Sequence, residues 1–571
     1  MTSTEDGAAS RARAWLQADP DRETRAETEA LLADGGPALA DRFSGHLRFG
    51  TAGLRAPMAA GPNRTNRVVA RLTAAALADV LAPGALVVVG HDARHRSDVF
   101  AADLAGVLAA AGCEVRLLAG PVPTPLLAFG VRHLGTAAGV MVTASHNPPA
   151  DNGIKVYGAD GVQIVGPLDA RIAEGLAADP RGLPAPVAVQ PTSVDDLVGA
   201  YLDAAMATTR PEAVAAEARA RLRVAYTPLH GVGGRLALAA LRRAGIHDVH
   251  VVAAQVEPDG AFPTIASPNP EDPAALAAVL ALGRSIGAHV ALAHDPDADR
   301  LAVAVPTRDG DGMRVLSGDE VGALVGEHLL AAGDASAGDD RLVVSTYAGS
   351  RLLARIAAAH GARHVETPPG FKWVMRVVLD HPELRFVFGY EEALGYAIGD
   401  RVRDKDGITA AVAVATLVAE LVAAGRHVDD ELDRLARRHG LHATASHAVV
   451  VAGDPAAVPS ALAASPPATL GGQRVVAVDD PAPPGTPAGV AVQIGLADSS
   501  RVVVRPSGTE PKLKCYLEVV RPVGPGADAL AAARADAEAR LAATWRDLAA
   551  TLGLASTGDG AGVHRRPEPD R

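Results

Sequence analysis

Three stretches of this chain repeat one plan, and the repetition limits the folds open to it more than any other feature. Each stretch runs apolar strand, polar or glycine-rich loop, helix, glycine turn, second strand. The first is Ala85-Leu-Val-Val-Val-Gly90, a helix near Ser97 to Ala111, then Gly112-Cys-Glu-Val-Arg-Leu-Leu118. The second is Leu222-Arg-Val-Ala-Tyr226, a helix near Arg235 to Ala244, then a strand from Gly245 to Val252. The third is Arg341-Leu-Val-Val-Ser345, a helix near Ser350 to His360, then Gly361 to Val365. Strand–helix–strand alternation of this kind predicts βαβ units with right-handed crossovers. Copies spaced roughly a hundred residues or more apart predict three related domains rather than a stacked solenoid.

The remainder reads differently. A charged helix around Asp429 to Arg438 is followed by short strands at His447 to Ala452, Gly489 to Ile494 and Arg501 to Arg505, with a Pro/Gly-rich loop from Pro481 to Gly489. A long helix from Ala527 to about Leu552 closes an α+β pattern, and the polar, aperiodic tail after Ser556 is expected to be disordered. A charged helix around Arg11 to Leu32 precedes the first repeat. The expected division is therefore 1–205, 206–312, 313–440 and 441–555, with 556–571 as tail, consistent with about 150 residues per domain in a chain of 571.

Composition excludes some functions. A net charge of −12 argues against a dedicated nucleic-acid binder. Two cysteines, Cys113 and Cys515, are too few for a disulfide framework or a zinc site and fit a reducing cytoplasm. The start of the chain has neither a basic nor an apolar signal region, and the alanine-rich run Ile408 to Gly425 contains Glu420, which suits a buried helix better than a membrane span. Trp15 and Trp545 read as packing residues on helices. Only five of the 54 basic residues are lysine: Lys155, Lys372, Lys405, Lys512 and Lys514. Against so strong an arginine preference, these mark places where a compact ammonium serves and a planar guanidinium does not.

Chemistry concentrates in a few segments. Thr143-Ala-Ser-His-Asn-Pro-Pro-Ala-Asp-Asn-Gly-Ile-Lys155 follows a short buried strand, Gly139 to Thr143, which the Asn147-Pro148 step should stop. Ser145 then sits on a loop at a strand's end, where ligands bind in α/β sheets. The tetrapeptide alone carries little, since Thr444-Ala-Ser-His447 repeats it without the residues that follow. Asp295-Pro-Asp297-Ala-Asp299-Arg300 follows the apolar strand His289 to His294. Carboxylates at i, i+2 and i+4 share one side if the backbone stays extended, and three such charges call for a hard divalent cation, magnesium above all. An EF-hand is excluded by Arg300 and Pro306 at its glycine and glutamate positions.

Arg505-Pro-Ser-Gly-Thr-Glu-Pro-Lys512-Leu-Lys514 offers a strand end, a small-residue turn and lysines. Arg505, Ser507 and Thr509 with the turn's amides can cradle phosphate, although Pro-Ser-Gly also satisfies an ordinary hairpin. Phe388-Gly-Tyr-Glu-Glu-Ala-Leu-Gly395, Arg403-Asp-Lys-Asp-Gly407 and Thr367-Pro-Pro-Gly-Phe-Lys372 add Glu391 and Glu392 for hydroxyls and Lys405 and Lys372 for phosphate. Thr227-Pro-Leu-His-Gly-Val-Gly-Gly234 lacks the last glycine of a dinucleotide fingerprint, having Leu236 there, and there is no Walker A loop.

Together with Arg48-Phe-Gly-Thr-Ala-Gly-Leu-Arg55, these segments resemble, in order from about Leu47 to Tyr516, the α-D-phosphohexomutase superfamily of phosphoglucomutases and phosphomannomutases. The resemblance implies an α/β fold of three similar domains with mixed sheets plus a C-terminal α+β domain around a central cleft. It implies an intramolecular phosphotransferase in which Ser145 is phosphorylated and Asp295, Asp297 and Asp299, with an oxygen of that phosphoserine, hold one Mg²⁺. Arg300 would neutralise the phosphoryl group. His146, Lys155 and Arg55 would line the reaction centre, with Lys155 moving a proton from a sugar hydroxyl. Thr367, Gly370 and Lys372 resemble the sugar-orienting loop, Glu391 the hydroxyl-binding glutamate, and Arg505, Ser507, Gly508 and Thr509 the loop for the non-reacting phosphate, with Glu392, Lys405 and Lys514 alongside.

The implied reaction interconverts glucose 1-phosphate and glucose 6-phosphate, with a sugar 1,6-bisphosphate as activator, sugar phosphates as the partners, and neither nucleic acid nor membrane. Mannose or pentose phosphates are alternatives. Ala393 stands where many hexomutases carry serine, and Glu-Glu-Ala-Leu-Gly-Tyr looks more like the phosphoglucomutase-2-type branch, some members of which prefer pentose phosphates. Ala56 replaces a common glycine. A non-catalytic sugar-phosphate-binding regulator and a simple phosphatase are the readings from other classes.

Overall fold

The computed structural model describes residues 2–50, 52–332, 340–451, 453–481, 491–507 and 512–554. Each repeated segment forms a parallel triplet of strands. Leu86–His91 lies between Glu114–Leu117 and Ala138–Val142. Arg223–Thr227 lies between Asp248–Val251 and Val290–His294. Arg341–Thr346 lies between Arg363–Thr367 and Arg385–Glu391. The helices that join the first two strands of each triplet are Ser97–Ala110, Gly234–Arg243 and Leu352–Ala359.

The cause is local. Val87, Val88 and Val89 are fully buried, as are Leu342, Val343 and Val344. Continuous β-branched runs of this kind suit parallel strands covered on both faces. In the first two triplets an antiparallel strand follows, Asp151–Gly158 and Leu301–Pro306, so both sheets are mixed.

The third strand of each triplet ends where a chemistry-bearing segment begins. Ala138–Val142 leads to Ser145, Val290–His294 to Asp295, and Arg385–Glu391 ends on the glutamate pair. Three copies of one topology thus present their motifs at the same end of the same strand, the carboxyl edge favoured for ligands.

The C-terminal region is a six-stranded antiparallel sheet whose central strands include Leu513–Arg521 and Arg501–Pro506, with the Ala529–Thr551 helix packed against it. Along Val492–Leu496 the first, third and fifth residues are buried, joining Leu548 of the helix in one core. The chain divides into two compact units: Met1–Leu316 with Leu394–Ala424, and Ser317–Ala393 with Gly425–Arg571.

Several expectations shift. The single N-terminal helix is two, Thr2–Ala18 and Arg22–Asp34, because Pro20 cannot continue a helix and Asp21 caps the second by accepting the Glu23 N–H at 3.0 Å. The strand expected at His447 to Ala452 runs Leu441–Val449, since it pairs along its whole length with Leu513–Arg521. The Ile408 to Gly425 run is the helix Gly407–Ala423, nearly all buried. Among the described residues no single helix is long and apolar enough to cross a membrane. Trp15 packs edge-on against Phe43, Trp545 stacks on His447, and both cysteines are free. The tail after Ser556 and most of the Pro481 to Gly489 loop lie outside the described residues.

Candidate active site

Ser145 is held by its own neighbourhood. The strand before it stops at Val142, ahead of the Asn147-Pro148 step expected to end it, and the Thr143 hydroxyl accepts the Ser145 N–H at 2.9 Å. Ser145 takes a left-handed backbone, φ +52°, which a non-glycine residue keeps only when its surroundings impose it. Arg94 supplies much of that imposition. Its buried guanidinium donates to the carbonyls of Ser145 and Asn147, each at 2.5 Å, of Pro148 at 2.8 Å and of Asp151 at 3.2 Å.

The Ser145 hydroxyl points at the aspartate loop, donating to Asp295 Oδ2 at 2.6 Å, with His146 Nδ1 3.1 Å away. That loop is not extended. The Ala298 N–H turns back to the Asp295 carbonyl at 2.9 Å, Ala298 has φ +58°, and the Arg300 N–H donates to Asp295 Oδ1 at 3.0 Å. The turn still converges the acids: one oxygen from each of Asp295, Asp297 and Asp299 lies within 4.8 Å of the others, all buried.

Lys155 reaches the acids from the antiparallel strand, opposite Met141, its ammonium 2.7 Å from both Asp297 Oδ2 and Asp299 Oδ2. Thr124 donates to Asp297 Oδ2 at 2.6 Å. Lys405, expected to meet substrate phosphate, is instead buried with its ammonium 3.2 Å from Asp299 Oδ2. Asp404 beside it accepts from the Tyr157 hydroxyl and the Gln163 amide, each at 2.7 Å. Arg55 donates to Asn147 Oδ1 at 3.2 Å, and Arg300 to Glu271 at 2.9 Å.

Charge divides unevenly among the acids. Burial, then repulsion from Asp297 and Asp299, pushes Asp295 well above the carboxylate range. Burial also pushes Asp297 and Asp299 up, but Lys155 beside both, with Lys405 beside Asp299, outweighs it and holds them low. Burial alone would lower Lys155, and the two carboxylates raise it instead, so it stays an ammonium. Burial, helped by Arg300 and Arg55, keeps His146 far below its ordinary value and therefore neutral.

A divalent cation fits here. Asp297 Oδ1 and Asp299 Oδ1 are buried acceptors with no hydrogen-bond partner among the described residues. The donor set is all oxygen, which favours a hard ion such as Mg²⁺.

In the second unit, Gly370 starts the Phe371–Asp380 helix with φ +119°, a conformation closed to other residues, and its N–H donates to Glu391 Oε1 at 2.6 Å. The Thr367 hydroxyl donates to the Pro368 carbonyl at 3.1 Å, and the Lys372 ammonium lies 5.8 Å from the Trp373 ring centroid. Glu392 is half-buried and accepts from the Thr346 hydroxyl at 3.0 Å; desolvation, then Glu391, pushes its carboxyl up to about 7. The Arg505 guanidinium sits 5.9 Å from the Tyr516 ring centroid, opposite Lys514 in strand register. The Ser507 N–H closes the turn onto the Lys512 carbonyl at 2.8 Å, while Gly508 and Thr509 lie outside the described residues.

Sequence reasoning missed Arg94, Thr124 and Asp404. Asp404 lies inside the Arg403-Asp-Lys-Asp-Gly407 segment without having been given a role, and the other two also carried a signal. Arg94 ends the polar run Gly90-His-Asp-Ala-Arg94 directly after a buried strand, and Thr124 sits in the proline-bearing loop of the same repeat.

Four family models match in order. Those described as Phosphoglucomutase/phosphomannomutase, alpha/beta/alpha domains I, II and III cover residues 46–181, 200–310 and 317–438, and the C-terminal domain covers 455–542. A probable phosphomannomutase of Haemophilus influenzae is 37% identical over 79% of this chain and 92% of its own length. A probable phosphoribomutase of Schizosaccharomyces pombe is 33% identical over 88% of this chain and 92% of its own. The crystal structure of a putative phosphomannomutase from Thermus thermophilus superposes with a TM-score of 0.68 at 27% identity, covering 88% of this chain and 99% of that one.

Proposed function

The chain belongs to the phosphoglucomutase/phosphomannomutase family of phosphosugar mutases, and on that premise we propose that it interconverts α-D-glucose 1-phosphate and glucose 6-phosphate through a phosphoserine at Ser145. The observation that carries the reading is the 2.6 Å hydrogen bond from the Ser145 hydroxyl into a buried carboxylate triad able to hold a divalent cation.

In this reading the phosphoserine P–O bond breaks as a new P–O bond forms to the free sugar hydroxyl, whose proton is removed as the bond forms while the departing Ser145 oxygen takes one up, so that serine hydroxyl and bisphosphate result. The resulting 1,6-bisphosphate turns over and returns its other phosphoryl group to Ser145. Added 1,6-bisphosphate would prime the unphosphorylated chain. Such transfers need positioning and charge neutralisation rather than further covalent help. Mg²⁺ held by Asp295, Asp297, Asp299 and a phosphoserine oxygen would supply positive charge to the moving phosphoryl group.

Arg55 and Arg300 add cationic charge, and His146 stays neutral beside the nucleophile. Lys155 is assigned the hydroxyl proton, with one condition that its setting imposes: as an ammonium held by two carboxylates it must first give up a proton, which requires those carboxylates to let go, before its amine can take the hydroxyl's. Thr367, Gly370, Lys372, Glu391 and Glu392 would orient the sugar. Arg505, Ser507, Gly508, Thr509 and Lys514 would hold the non-reacting phosphate. Lys405, beside Asp299, fits the reaction centre better than the sugar.

Pentose phosphate is a second reading. It is favoured by Ala393 in place of a hydroxyl-bearing residue and by the phosphoribomutase name of a relative matched over 88% of this chain. The test is turnover of glucose, mannose and ribose 1-phosphates with Mg²⁺ and catalytic bisphosphate, alongside the intact mass of the chain. Glucose phosphate turnover with one added phosphoryl group supports the main reading, and ribose preference the second. Release of free phosphate without isomerisation would sink both.

A further inference from the structure

Thr227-Pro-Leu-His-Gly-Val-Gly-Gly234 is glycine-rich but no dinucleotide loop, and the proposed function leaves it unused. Its strand, Arg223–Thr227, pairs in parallel with Val290–His294, with Thr227 opposite Ala293, so the two strands release their loops side by side. There the Val232 N–H donates to the Pro296 carbonyl at 2.8 Å. A Cβ on Gly231 would stand 2.4 Å from Pro296 Cα, and one on Gly233 would stand 2.6 Å from Ala298 Cβ. Neither separation is tolerated between real carbon atoms. From another side Gly407 approaches as closely: a Cβ there would lie 2.9 Å from the Ala298 carbonyl oxygen and 2.5 Å from that of Arg300.

Gly233 is not glycine for backbone freedom. Its φ is −71° and ψ −20°, open to any residue. What a side chain would disturb is Ala298, fully buried and left-handed at φ +58°, the pivot between Asp297 and Asp299. The template is itself braced. Buried His230 meets the Thr264 hydroxyl at 2.8 Å, Gln255 donates to the same hydroxyl at 2.9 Å, and the Thr227 hydroxyl donates to Gln255 at 2.7 Å.

We propose that the Thr227–Gly234 loop is a steric template for the aspartate turn, with Gly233 the positioning residue that fixes Ala298 and thereby the spacing of Asp297 and Asp299 for a divalent cation. The inference rests on the metal role proposed for the triad. Residues that orient ligands from behind typically change metal affinity by about 10- to 100-fold when altered, and Gly233→Ala is expected to weaken cation binding by that amount.

The test is a double-mutant cycle read by calorimetric titration of Mn²⁺ into the full chain, with thermal unfolding in parallel. Gly233→Ala should lower affinity roughly tenfold or more in the parent but less than about twofold in an Ala298→Gly background, where the opposing Cβ is gone. Gly234→Ala, whose Cβ would come no nearer than 3.3 Å to the Val256 carbonyl oxygen, is the neighbouring control and should leave affinity unchanged. Equal losses in both backgrounds, or a lower melting point with unaltered Mn²⁺ affinity, would overturn the proposal. If Gly233→Ala yields no folded protein, recovery of a folded, Mn²⁺-binding chain by Ala298→Gly supports the template and failure to recover it refutes it. Parent chain that binds no Mn²⁺, or binds it equally as Asp297→Asn, removes the metal reading and this one together; intact parent binding without coupling removes the template alone.

Discussion

Thr143-Ala-Ser-His146 and Thr444-Ala-Ser-His447 spell the same four residues in two units of the molecule and fold differently. In the first, the strand has already ended, Ser145 is buried and left-handed, and its hydroxyl is committed to Asp295. In the second, all four residues lie inside the Leu441–Val449 strand, with Ser446 exposed opposite Tyr516. The threonines diverge as well. Thr143 accepts the Ser145 N–H, whereas Thr444 donates to Asp319 Oδ2 at 2.8 Å. Sequence identity over four residues sets neither conformation nor chemistry; the partner does. A ladder neighbour, Leu513–Arg521, keeps the second copy extended, and Arg94 folds the first.

The most direct challenge to this contrast is to remove the two serines. Ser145→Ala should lower mutase turnover by roughly 10⁴-fold or more, and Ser446→Ala should stay within about twofold of the parent, both read in a coupled assay. Comparable losses would mean that the tetrapeptide, not its setting, matters.

Next in size is Arg94→Lys. A lysine cannot reproduce a fork that serves four carbonyls, so kcat should fall about 100-fold through a misplaced Ser145, with KM little changed. Unchanged kcat would show that the Ser145 loop holds itself.

Smaller effects separate the threonines. Thr143→Val should reduce kcat by about tenfold, the cost of a lost hydrogen bond at Ser145, and Thr444→Val should cost about 1–3 kcal/mol in denaturant unfolding, with kcat untouched. The smallest concerns the second histidine. Burial holds His447 below its ordinary value of 6.5. Its folded state resists protonation, so the stabilisation is complete above pH 6.5 and is lost as pH falls through the folded value. His447→Phe keeps a ring on Trp545 and should flatten the stability–pH slope below 6.5; an unchanged slope would place the proton elsewhere.

Much of the fold was legible because β-branched runs and glycine turns are local signals. All three βαβ segments formed within a few residues of their expected ends. The carboxylate triad was legible for its composition, but not for its geometry: an extended loop was expected, and the left-handed Ala298 makes a turn instead. Arg94 was hard to find for a different reason. Its four acceptors are carbonyls more than fifty residues away, and backbone carbonyls leave no residue-type signature. The place of Lys405 in the Arg403–Gly407 segment, beside the glutamate pair in the sequence, points it at substrate phosphate, whereas its contacts are with Asp299 and Asp404.

The segment Leu394–Ala424 belongs to the first unit although 77 residues of the second precede it in the chain. It carries Lys405, Gly407 and the apolar helix Gly407–Ala423, which packs on Gly234–Arg243 and on the Val290–His294 strand. During synthesis the candidate site therefore cannot be finished in the order in which it is translated. Until residue 424 has left the ribosome, the first unit displays an unfilled apolar seat and an aspartate turn lacking one of its two lysines. Nascent chains of that length are where chaperone engagement and premature metal capture would concentrate.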